Sequence, residues 1–565
     1  MKTIRLTSLI LLITILNASF AGCNQIIKNT DIPSAISSSA SAAYNTSALP
    51  DTSAQSLPIV KEPITFRVWT PYIFQNYVKS NSIMESNIEL ERRTGIKIEW
   101  IEPPAGQTAE AYNLMIASHD LPDMIEDFNG IQTNDYSYPG GYDKAIEDGV
   151  ILKLNDLIDK YAPNYKQIVN SDKTAQKLTI TDKGNMYGVA EISTYIKNIN
   201  DPIIPQAGDP GNGLVIRKDW LDELGFELPV TIDDWHTVLK AFKEKKKAGA
   251  PLLINKTGIG LNSQFLTAFG TAYTNRTGQE FYQENGKVKF GPIEPGFKDY
   301  LALMNKWYEE GLIDKSFAVR DDNLDVFSAE CMPSDKAGAT NLGCGWAADY
   351  YKVAGSAKDP RFYLQAVNPP VARKGNKIHF RYTTWSVGGF TVITTACKYP
   401  KEAMKWLDYQ YSKEGILMTN WGKQGVTYNI KDGKPVFTDL ILKDQNPLVS
   451  ALLHTRSNSM SNPGVADAEW FHALPIAAQT DAKKIWGEVD NSWVIPPLYL
   501  TRDEETSYSA VMSDIKTYIN EMTVKFIMGI EPISNYDAFA SQIRDMGIDQ
   551  VIKAEQDALD RYNKR

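Results

Sequence analysis

The chain has 565 residues, of which 43% are hydrophobic and 22% charged, so it is long enough to bury more than one hydrophobic core. Its 68 Asp and Glu residues outnumber 59 Lys and Arg residues, giving a formal net charge of −9. Such a chain has no basic surface to neutralise many phosphates, which excludes nucleic acid as an expected partner. The 12 Trp and 28 Tyr residues are its one compositional excess.

Residues 1–22 have the pattern of a bacterial signal peptide. Lys2 and Arg5 precede a mostly apolar run from Leu6 to Leu16, which is shorter than the roughly 20 residues that cross a bilayer. Phe20-Ala-Gly-Cys23 then resembles a lipobox, which predicts that Cys23 is lipidated and becomes the new N-terminus. The alternative is an ordinary cleavage site followed by a chance cysteine.

Residues 23–62 are rich in Ser, Ala and Thr and contain few large apolar side chains. Such a segment cannot bury enough surface to offset its ordering entropy, so it is predicted to be a flexible tether. Together with the lipid, it would hold the rest of the chain at the extracellular face of a bacterial cell membrane.

From residue 63 onward, strand and helix patterns alternate, which predicts an α/β fold with parallel strand pairing. Thr231-Ile-Asp-Asp234 is a capping box and predicts a helix start. The predicted strands are Ile64–Trp69, Ile96–Ile101, Leu121–Ile125, Gly213–Arg217 and Phe390–Thr394. The predicted helices are Ser82–Thr94, Ala109–Ser118, Asp219–Leu224, 231–247, Phe297–Glu310, one starting at Pro400, and three within Glu504–Lys564.

Most motifs of catalysis and cofactor binding are missing from the sequence. No two of the five histidines are spaced i, i+4, there is no C-x-x-C, and Thr384-Trp-Ser-Val-Gly388 lacks the first glycine of a nucleophile elbow. We therefore expect no cofactor and no metal. Cys331 and Cys344 could form a disulfide by their spacing, and two buried thiols are the equal alternative.

Two acidic residues could still take part in catalysis. Asp127 closely follows a predicted strand, and Glu191 follows Tyr187-Gly-Val-Ala190. A glycosidase requires two carboxyl groups at a defined separation, and the sequence leaves that separation open. The alternative for each is a helix cap or a solvated side chain.

Three tryptophans, Trp346, Trp385 and Trp421, lie beside glycines, which predicts rings at turns or at the mouth of a cleft. Exposed rings suit the apolar faces of sugars, while neighbouring polar groups bind the hydroxyls. A ring that covers the edge of the core is the alternative. Tyr72, after the first strand, is considered in the same way.

Several loose motifs, in this order and spacing, resemble the family 1 extracellular solute-binding proteins, in particular the large Gram-positive lipoproteins of carbohydrate ABC importers. The motifs are Leu121-Pro-Asp123, Asn185-Met-Tyr-Gly-Val189, Leu214-Val-Ile-Arg-Lys-Asp-Trp-Leu221, Pro229-Val-Thr-Ile-Asp-Asp-Trp235, Lys336-Ala-Gly338, Lys398-Tyr-Pro-Lys-Glu-Ala403 and Trp421-Gly422. One departure is Lys245-Lys-Lys-Ala-Gly-Ala-Pro251, where many large relatives carry a calcium loop.

The resemblance implies a two-lobed, periplasmic-binding-protein-like α/β fold with a ligand cleft and several hinge crossings. Lobe 1 would comprise residues 63–188 and 363–425, and lobe 2 residues 189–362 and 426–565. The implied ligand contacts are Tyr72, Asp127, Glu191, Arg217, Trp346, Trp385 and Trp421. For Arg217, an ion pair with a helix carboxylate is an equal alternative.

The implied function is a lipid-anchored, monomeric receptor that captures an oligosaccharide and delivers it to an ABC permease, without catalysis. Two alternatives come from other classes: an anchored polysaccharide-degrading enzyme, and a sugar sensor or adhesion protein of the same fold. A peptide ligand is a further alternative within that fold.

Overall fold

The computed structural model describes residues 57–71, 79–104, 106–128, 136–193, 212–254, 264–274, 280–319, 331–343, 355, 358–379, 387–444, 447–455, 463–467, 470, 473–474, 482, 485–486 and 489–565. The predicted signal peptide, Cys23, most of the predicted tether, Tyr72, Cys344, Trp346 and Trp385 lie outside these residues.

The predicted alternation of helices and strands is confirmed. The strands are β1 (Ile64–Trp69), β2 (Ile96–Ile101), β3 (Met124–Ile125), β4 (Val189–Ser193), β5 (Asn212–Arg217), β6 (Ala250–Leu252), β7 (Phe281–Glu284), β8 (Lys287–Phe290), β9 (Ala337–Gly343), β10 (Leu364–Val367), β11 (Val387–Ile393), β12 (Tyr428–Lys431), β13 (Lys434–Phe437) and β14 (Gly464–Ala466).

The described α-helices agree closely with the sequence patterns where both exist. Thr231 caps its helix through the predicted capping box, since its side chain accepts from Asp234 N and the Asp234 carboxylate accepts from Thr231 N. The helices are Glu85–Thr94, Thr108–Ser118, Gly141–Glu147, Asn155–Tyr161, Pro163–Asn170, Lys173–Leu178, Lys218–Leu224, Ile232–Lys245, Pro295–Glu309, Pro400–Tyr409, Lys413–Trp421, Asp439–Leu442, Pro447–His454, Arg502–Met528, Tyr536–Asp545 and Ile548–Lys564.

The first sheet contains the described strands in the order β14-β4-β11-β3-β1-β2. β1 pairs in parallel with β2 and β3, and β14 pairs in parallel with β4. The expectation of parallel pairing is wrong for β11, which runs antiparallel to both β3 and β4. β11 enters this sheet from the second one, so it arrives in the opposite direction.

The second sheet has the order β10-β5-β9-β6 among the described strands. β5 is antiparallel to both of its neighbours, and only β6 and β9 pair in parallel. Separate groups of buried apolar side chains pack against the two sheets. The predicted two-lobed α/β fold is therefore confirmed.

The sheets move three of the predicted lobe boundaries. β4 and β14 belong to the first sheet although the sequence had assigned both to lobe 2, and β10 belongs to the second sheet although it had been assigned to lobe 1. The strands before the first two crossings, β4 and β10, each belong to the sheet that the chain is about to leave. The chain therefore passes between the sheets after β4, after β10 and between β14 and Ala482, which packs with the second sheet.

The predicted tether ends before residue 62. The backbone N–H of Ile59 donates to the Thr94 carbonyl at 2.9 Å, and Ile59 and Val60 pack against the core of the first sheet. These two apolar side chains fix the chain to the folded body earlier than composition alone indicates. Within the described ranges, no helix is both long and apolar enough to cross a membrane.

The last helix joins the two lobes. Its buried residues Ile548, Val551 and Leu559 belong to the core of the second lobe, but Tyr562 belongs to the core of the first. Beside it, Arg561 and Arg565 each donate to the Asp182 carboxylate at 2.8 Å. Leu498, ahead of the Arg502–Met528 helix, also packs against both cores. The C-terminal region thus forms a further connection between the lobes.

A close approach at Gly213 seats the returning chain on the second sheet. Trp486 is buried, and its indole N–H donates to the Val367 carbonyl at 3.2 Å. A Cβ atom at position 213 would lie only 2.0 Å from Cε2 of this indole. Gly213 is therefore required because the ring lies directly on the backbone of β5.

Replacing Gly213 by alanine is expected to destabilise the protein. The added methyl group would displace the Trp486 ring, and overpacking of this kind costs about 1–3 kcal/mol. The control is Gly249→Ala, because a Cβ atom there meets nothing within 4 Å. Chemical denaturation should show a lower free energy of unfolding for Gly213→Ala only; equal stability of both variants would contradict the packing argument.

Candidate ligand-binding site

The carboxyl ends of several strands meet at one edge of the first sheet. β1, β3, β4 and β14 run in the same direction, because β11 is antiparallel to both β3 and β4. In open α/β sheets, ligands bind outside the carboxyl ends of the strands. We refer to this edge as the carboxyl edge.

Asp127 lies at the carboxyl edge, two residues after β3. Its side chain is fully buried, and its backbone has φ of 51°, the left-handed region that Asp tolerates better than most residues. The next residue, Phe128, donates its backbone N–H to the Phe390 carbonyl at 3.1 Å. β11 therefore fixes the turn that places the Asp127 carboxyl group.

Glu191 lies in β4, on the other side of β11. Its side chain is 9% exposed, and its Oε2 atom is buried without a hydrogen-bond partner. Burial raises the pKa of Glu191 from 4.5 to about 8, and the negative charge of Asp127 adds to this shift. The structure thus brings two predicted site residues together, and at neutral pH the Glu191 carboxyl group holds its proton.

The register between β4 and β11 shifts beside Glu191. Phe390 pairs with Ala190, and Val387 pairs with Ile192. Two residues of β11, Gly388 and Gly389, therefore lie opposite the single residue Glu191 of β4, which is a β-bulge. β-Bulges of this kind are common next to functional sites, where they redirect side chains.

Aromatic rings surround the loop that carries Asp127. The ring centroid of Phe128 lies 6.0 Å from that of Tyr112 and 6.0 Å from that of Tyr142. Tyr112 stacks on Tyr136 at 4.3 Å, and Trp69 packs edge-on against Tyr112 at 5.8 Å. The aromatic wall at this edge therefore consists mainly of residues that sequence reasoning did not select.

One of these tyrosines carried a usable signal. Tyr142 follows Gly140-Gly141, which is the aromatic-beside-glycine pattern that we applied only to tryptophans. Tyr112 had no such signal, because it lies inside the Thr108–Ser118 helix like an ordinary core residue. Asp467, buried after β14, was also missed.

The prediction that the Trp421 ring is exposed is wrong. Trp421 is 1% exposed at the end of a helix, and its ring packs against Phe437 at 4.7 Å. Its indole N–H donates to Asp467 Oδ2 at 3.1 Å, while Asn420 Oδ1 accepts from the backbone N–H of Asp467 at 2.8 Å. Trp421 therefore holds the end of β14 and has no face available for stacking.

The structure does not bring Arg217 to the Asp127–Glu191 pair. Its guanidinium group is buried, pairs with Asp219 at 2.6 Å and Asp335 at 2.8 Å, and lies over the rings of Trp220 and Phe362. Asp219 belongs to the following helix, so the ion-pair alternative is observed. Arg217 also lies at the carboxyl end of β5, about 16 Å along the strand from Asn212, where the chain enters the second sheet after the first crossing.

The remaining predicted contacts, Tyr72, Trp346 and Trp385, lie outside the described residues and stay predictions. The disulfide alternative is open for the same reason, since Cys331 is buried and Cys344 is not described. In the described part of the chain, no group of three or more His, Cys, Asp or Glu side chains could hold a metal ion.

Comparison with known proteins indicates the family. Residues 74–416 match the family described as bacterial extracellular solute-binding protein. FusA, the fructooligosaccharide ABC transporter substrate-binding protein of Streptococcus pneumoniae serotype 4, is 25% identical over 501 residues, which are 84% of this chain and 86% of FusA. Lipoprotein LipO of Bacillus subtilis is 28% identical over 364 residues, 62% of this chain and 65% of LipO.

Solved structures agree with this result. The crystal structure of the alginate-binding protein AlgQ2 without calcium ion is similar with a TM-score of 0.68 and 26% identity, over 89% of this chain and 99% of that chain. The name of FusA thus refers to a neutral sugar, a fructooligosaccharide, and that of AlgQ2 to an acidic one, alginate.

Glu191→Gln is expected to change the pH dependence of stability. Between pH 4.5 and about 8 the folded protein keeps the Glu191 proton that the unfolded chain releases, so wild-type stability falls as pH rises through this window. The amide removes this loss, which is on the order of 4 kcal/mol by pH 8. The variant should melt like the wild type at pH 5 and above it at pH 8.

The control is Glu99→Gln, an exposed glutamate in β2. Its melting temperature should follow that of the wild type at both pH values. A Glu191→Gln variant whose difference from the wild type is the same at pH 5 and pH 8 would disprove a buried, protonated Glu191.

Proposed function

Because the chain belongs to the family of bacterial extracellular solute-binding proteins, we propose that it captures an oligosaccharide at the carboxyl edge and delivers it to the permease of an ABC importer. Binding would involve closure of the two lobes around the ligand by hinge motion at the crossings. The similarity to FusA and AlgQ2 supports a carbohydrate ligand.

One observation carries this proposal: Asp127 and Glu191 are buried together at the carboxyl edge, and Glu191 Oε2 has no hydrogen-bond partner. An ionised Asp127 accepts hydrogen bonds from sugar hydroxyls, and a protonated Glu191 donates one. Tyr72, Trp346 and Trp385 are proposed as further contacts.

We also propose that the protein binds without hydrolysing its ligand. The family consists of binding proteins, and a receptor requires affinity and closure alone. Incubation with the bound oligosaccharide should release no new reducing ends. Release that Glu191→Ala abolishes would instead support the polysaccharide-degrading alternative.

The anchor and the location are part of the same proposal. Cys23 would carry the lipid, and the following residues would tether a monomeric receptor at the extracellular face of the membrane. The similarity to lipoprotein LipO supports a lipid anchor. Replacement of Cys23 by serine should move the protein from the membrane fraction to the medium.

An oligosaccharide ligand should raise the melting temperature, because binding to the folded state alone stabilises it by about 2.7 kcal/mol at a hundred times Kd. Asp127→Asn keeps the shape of the buried side chain but removes its charge, and should weaken binding at least tenfold. The control Asp120→Asn removes an exposed carboxylate that pairs with Arg67. Stabilisation by oligopeptides and by no oligosaccharide would disprove the ligand class.

Trp346→Ala tests the second lobe's contribution. Loss of a stacking ring should weaken oligosaccharide binding at least tenfold and leave the melting temperature of the unliganded protein nearly unchanged. Isothermal titration calorimetry and thermal melting on the same samples separate the two effects. A lower melting temperature with unchanged affinity would assign Trp346 to the core instead.

A further inference from the structure

The loop at Asp127 has two tyrosine neighbours whose hydroxyl groups have no partner. Tyr112 and Tyr142 are 1% and 3% exposed, and each hydroxyl oxygen is buried without a hydrogen bond. Both rings lie 6.0 Å from the ring of Phe128, the residue that follows Asp127. Two different helices, Thr108–Ser118 and Gly141–Glu147, thus direct tyrosines to the same loop.

Two other tyrosines of the same core have hydrogen-bond partners for their hydroxyl groups. The Tyr187 hydroxyl donates to the Leu178 carbonyl at 2.9 Å, and the Tyr165 hydroxyl accepts from the backbone N–H of Ala190 at 3.3 Å. A buried polar group without a partner costs about 1–3 kcal/mol. Tyr112, Tyr142 and Glu191 concentrate three such groups near Asp127, which is the pattern expected where a ligand supplies the missing hydrogen bonds.

We propose that Tyr112, Tyr142 and Glu191 form, with Asp127, a buried subsite for an uncharged, hydroxyl-rich sugar unit, and that this subsite selects neutral oligosaccharides over those built from uronic acids. The inference rests on the proposed function and specifies the charge of the ligand.

The protonation states support this ligand class. Burial raises the pKa of both tyrosines, and the charge of Asp127 raises them further, so both hydroxyls stay protonated as donors. The protonated Glu191 is a third donor. A sugar hydroxyl can accept from one of these groups and also donate to the Asp127 carboxylate.

A uronate carboxylate cannot make the same contacts. It has no proton to donate to Asp127, and it would place a second negative charge beside that residue in surroundings of low dielectric. None of the four side chains of the subsite is a cation. Arg217, the one cation among the predicted ligand contacts, is instead held by Asp219 and Asp335 in the other lobe.

The test compares neutral with acidic trisaccharides, including one pair that differs only in the group at carbon 6 of each sugar unit. Isothermal titration of the full chain with α-1,4-galactotriose and α-1,4-trigalacturonate compares a hydroxymethyl group with a carboxylate on one skeleton, and further neutral trisaccharides and trimannuronate complete the panel. We expect binding to members of the neutral set and at least tenfold weaker binding to both uronates. Uronates that bind as tightly as the best neutral sugar would overturn the subsite while leaving the proposed function intact. If no saccharide binds, the proposed function itself fails.

Tyr112→Phe and Tyr142→Phe then test the subsite residues. Each variant removes only a hydroxyl group, and each should weaken binding of the best neutral sugar at least fivefold. The matched control is Tyr300→Phe, a buried tyrosine of the second core, which should bind like the wild type.

Thermal melting of the unliganded variants distinguishes a binding role from a structural one. Removing a buried hydroxyl without a partner should leave the melting temperature unchanged or raise it. Wild-type affinity in both tyrosine variants, or lower affinity accompanied by a clear loss of melting temperature, would overturn the assignment.

Discussion

The insertion of β11 between β3 and β4 determines how the candidate site is built. β11 separates the two strands by two strand spacings, about 9–10 Å, which is close enough for long side chains to meet. Its Phe390 carbonyl fixes the turn at Asp127, and its bulge lies beside Glu191. Glu191 lies just before the first crossing, and β11 follows the second, so the strand that returns from the second lobe also organises the candidate contacts of the first.

The C-terminal helix limits how the lobes can move. Tyr562 packs into the first core, and Asp182 accepts hydrogen bonds from Arg561 and Arg565, while Ile548, Val551 and Leu559 of the same helix pack into the second core. A closing motion must keep this contact or exchange it for another, because leaving the partly buried Asp182 without its partners is costly. The helix end would therefore act as a fixed point in the proposed closure.

The structural features that could be predicted from the sequence are those that depend on residues close together in the chain. The capping box at Thr231 depends on local geometry. So does the division of the C-terminal region into three helices, because Gly529 and Gly547, which separate them, adopt positive φ values. The parallel direction expected for β11 was wrong, because strand pairing joins residues that are far apart in the chain. The rule that placed Trp421 at a cleft failed because its glycine, Gly422, ends a helix and does not line an opening.

For the site, the sequence identified the residue types but could not give their environment. Asp127 and Glu191 were selected by position, yet only the fold shows that Glu191 is buried beside another acid and holds a proton. FusA and AlgQ2 have names that refer to a fructooligosaccharide and to alginate, and both are similar to this chain along most of its length. Such a fold does not determine the charge of its ligand. The few side chains at the strand ends must do so, and here they are phenols and carboxyl groups, which match a ligand that both accepts and donates hydrogen bonds without bringing charge.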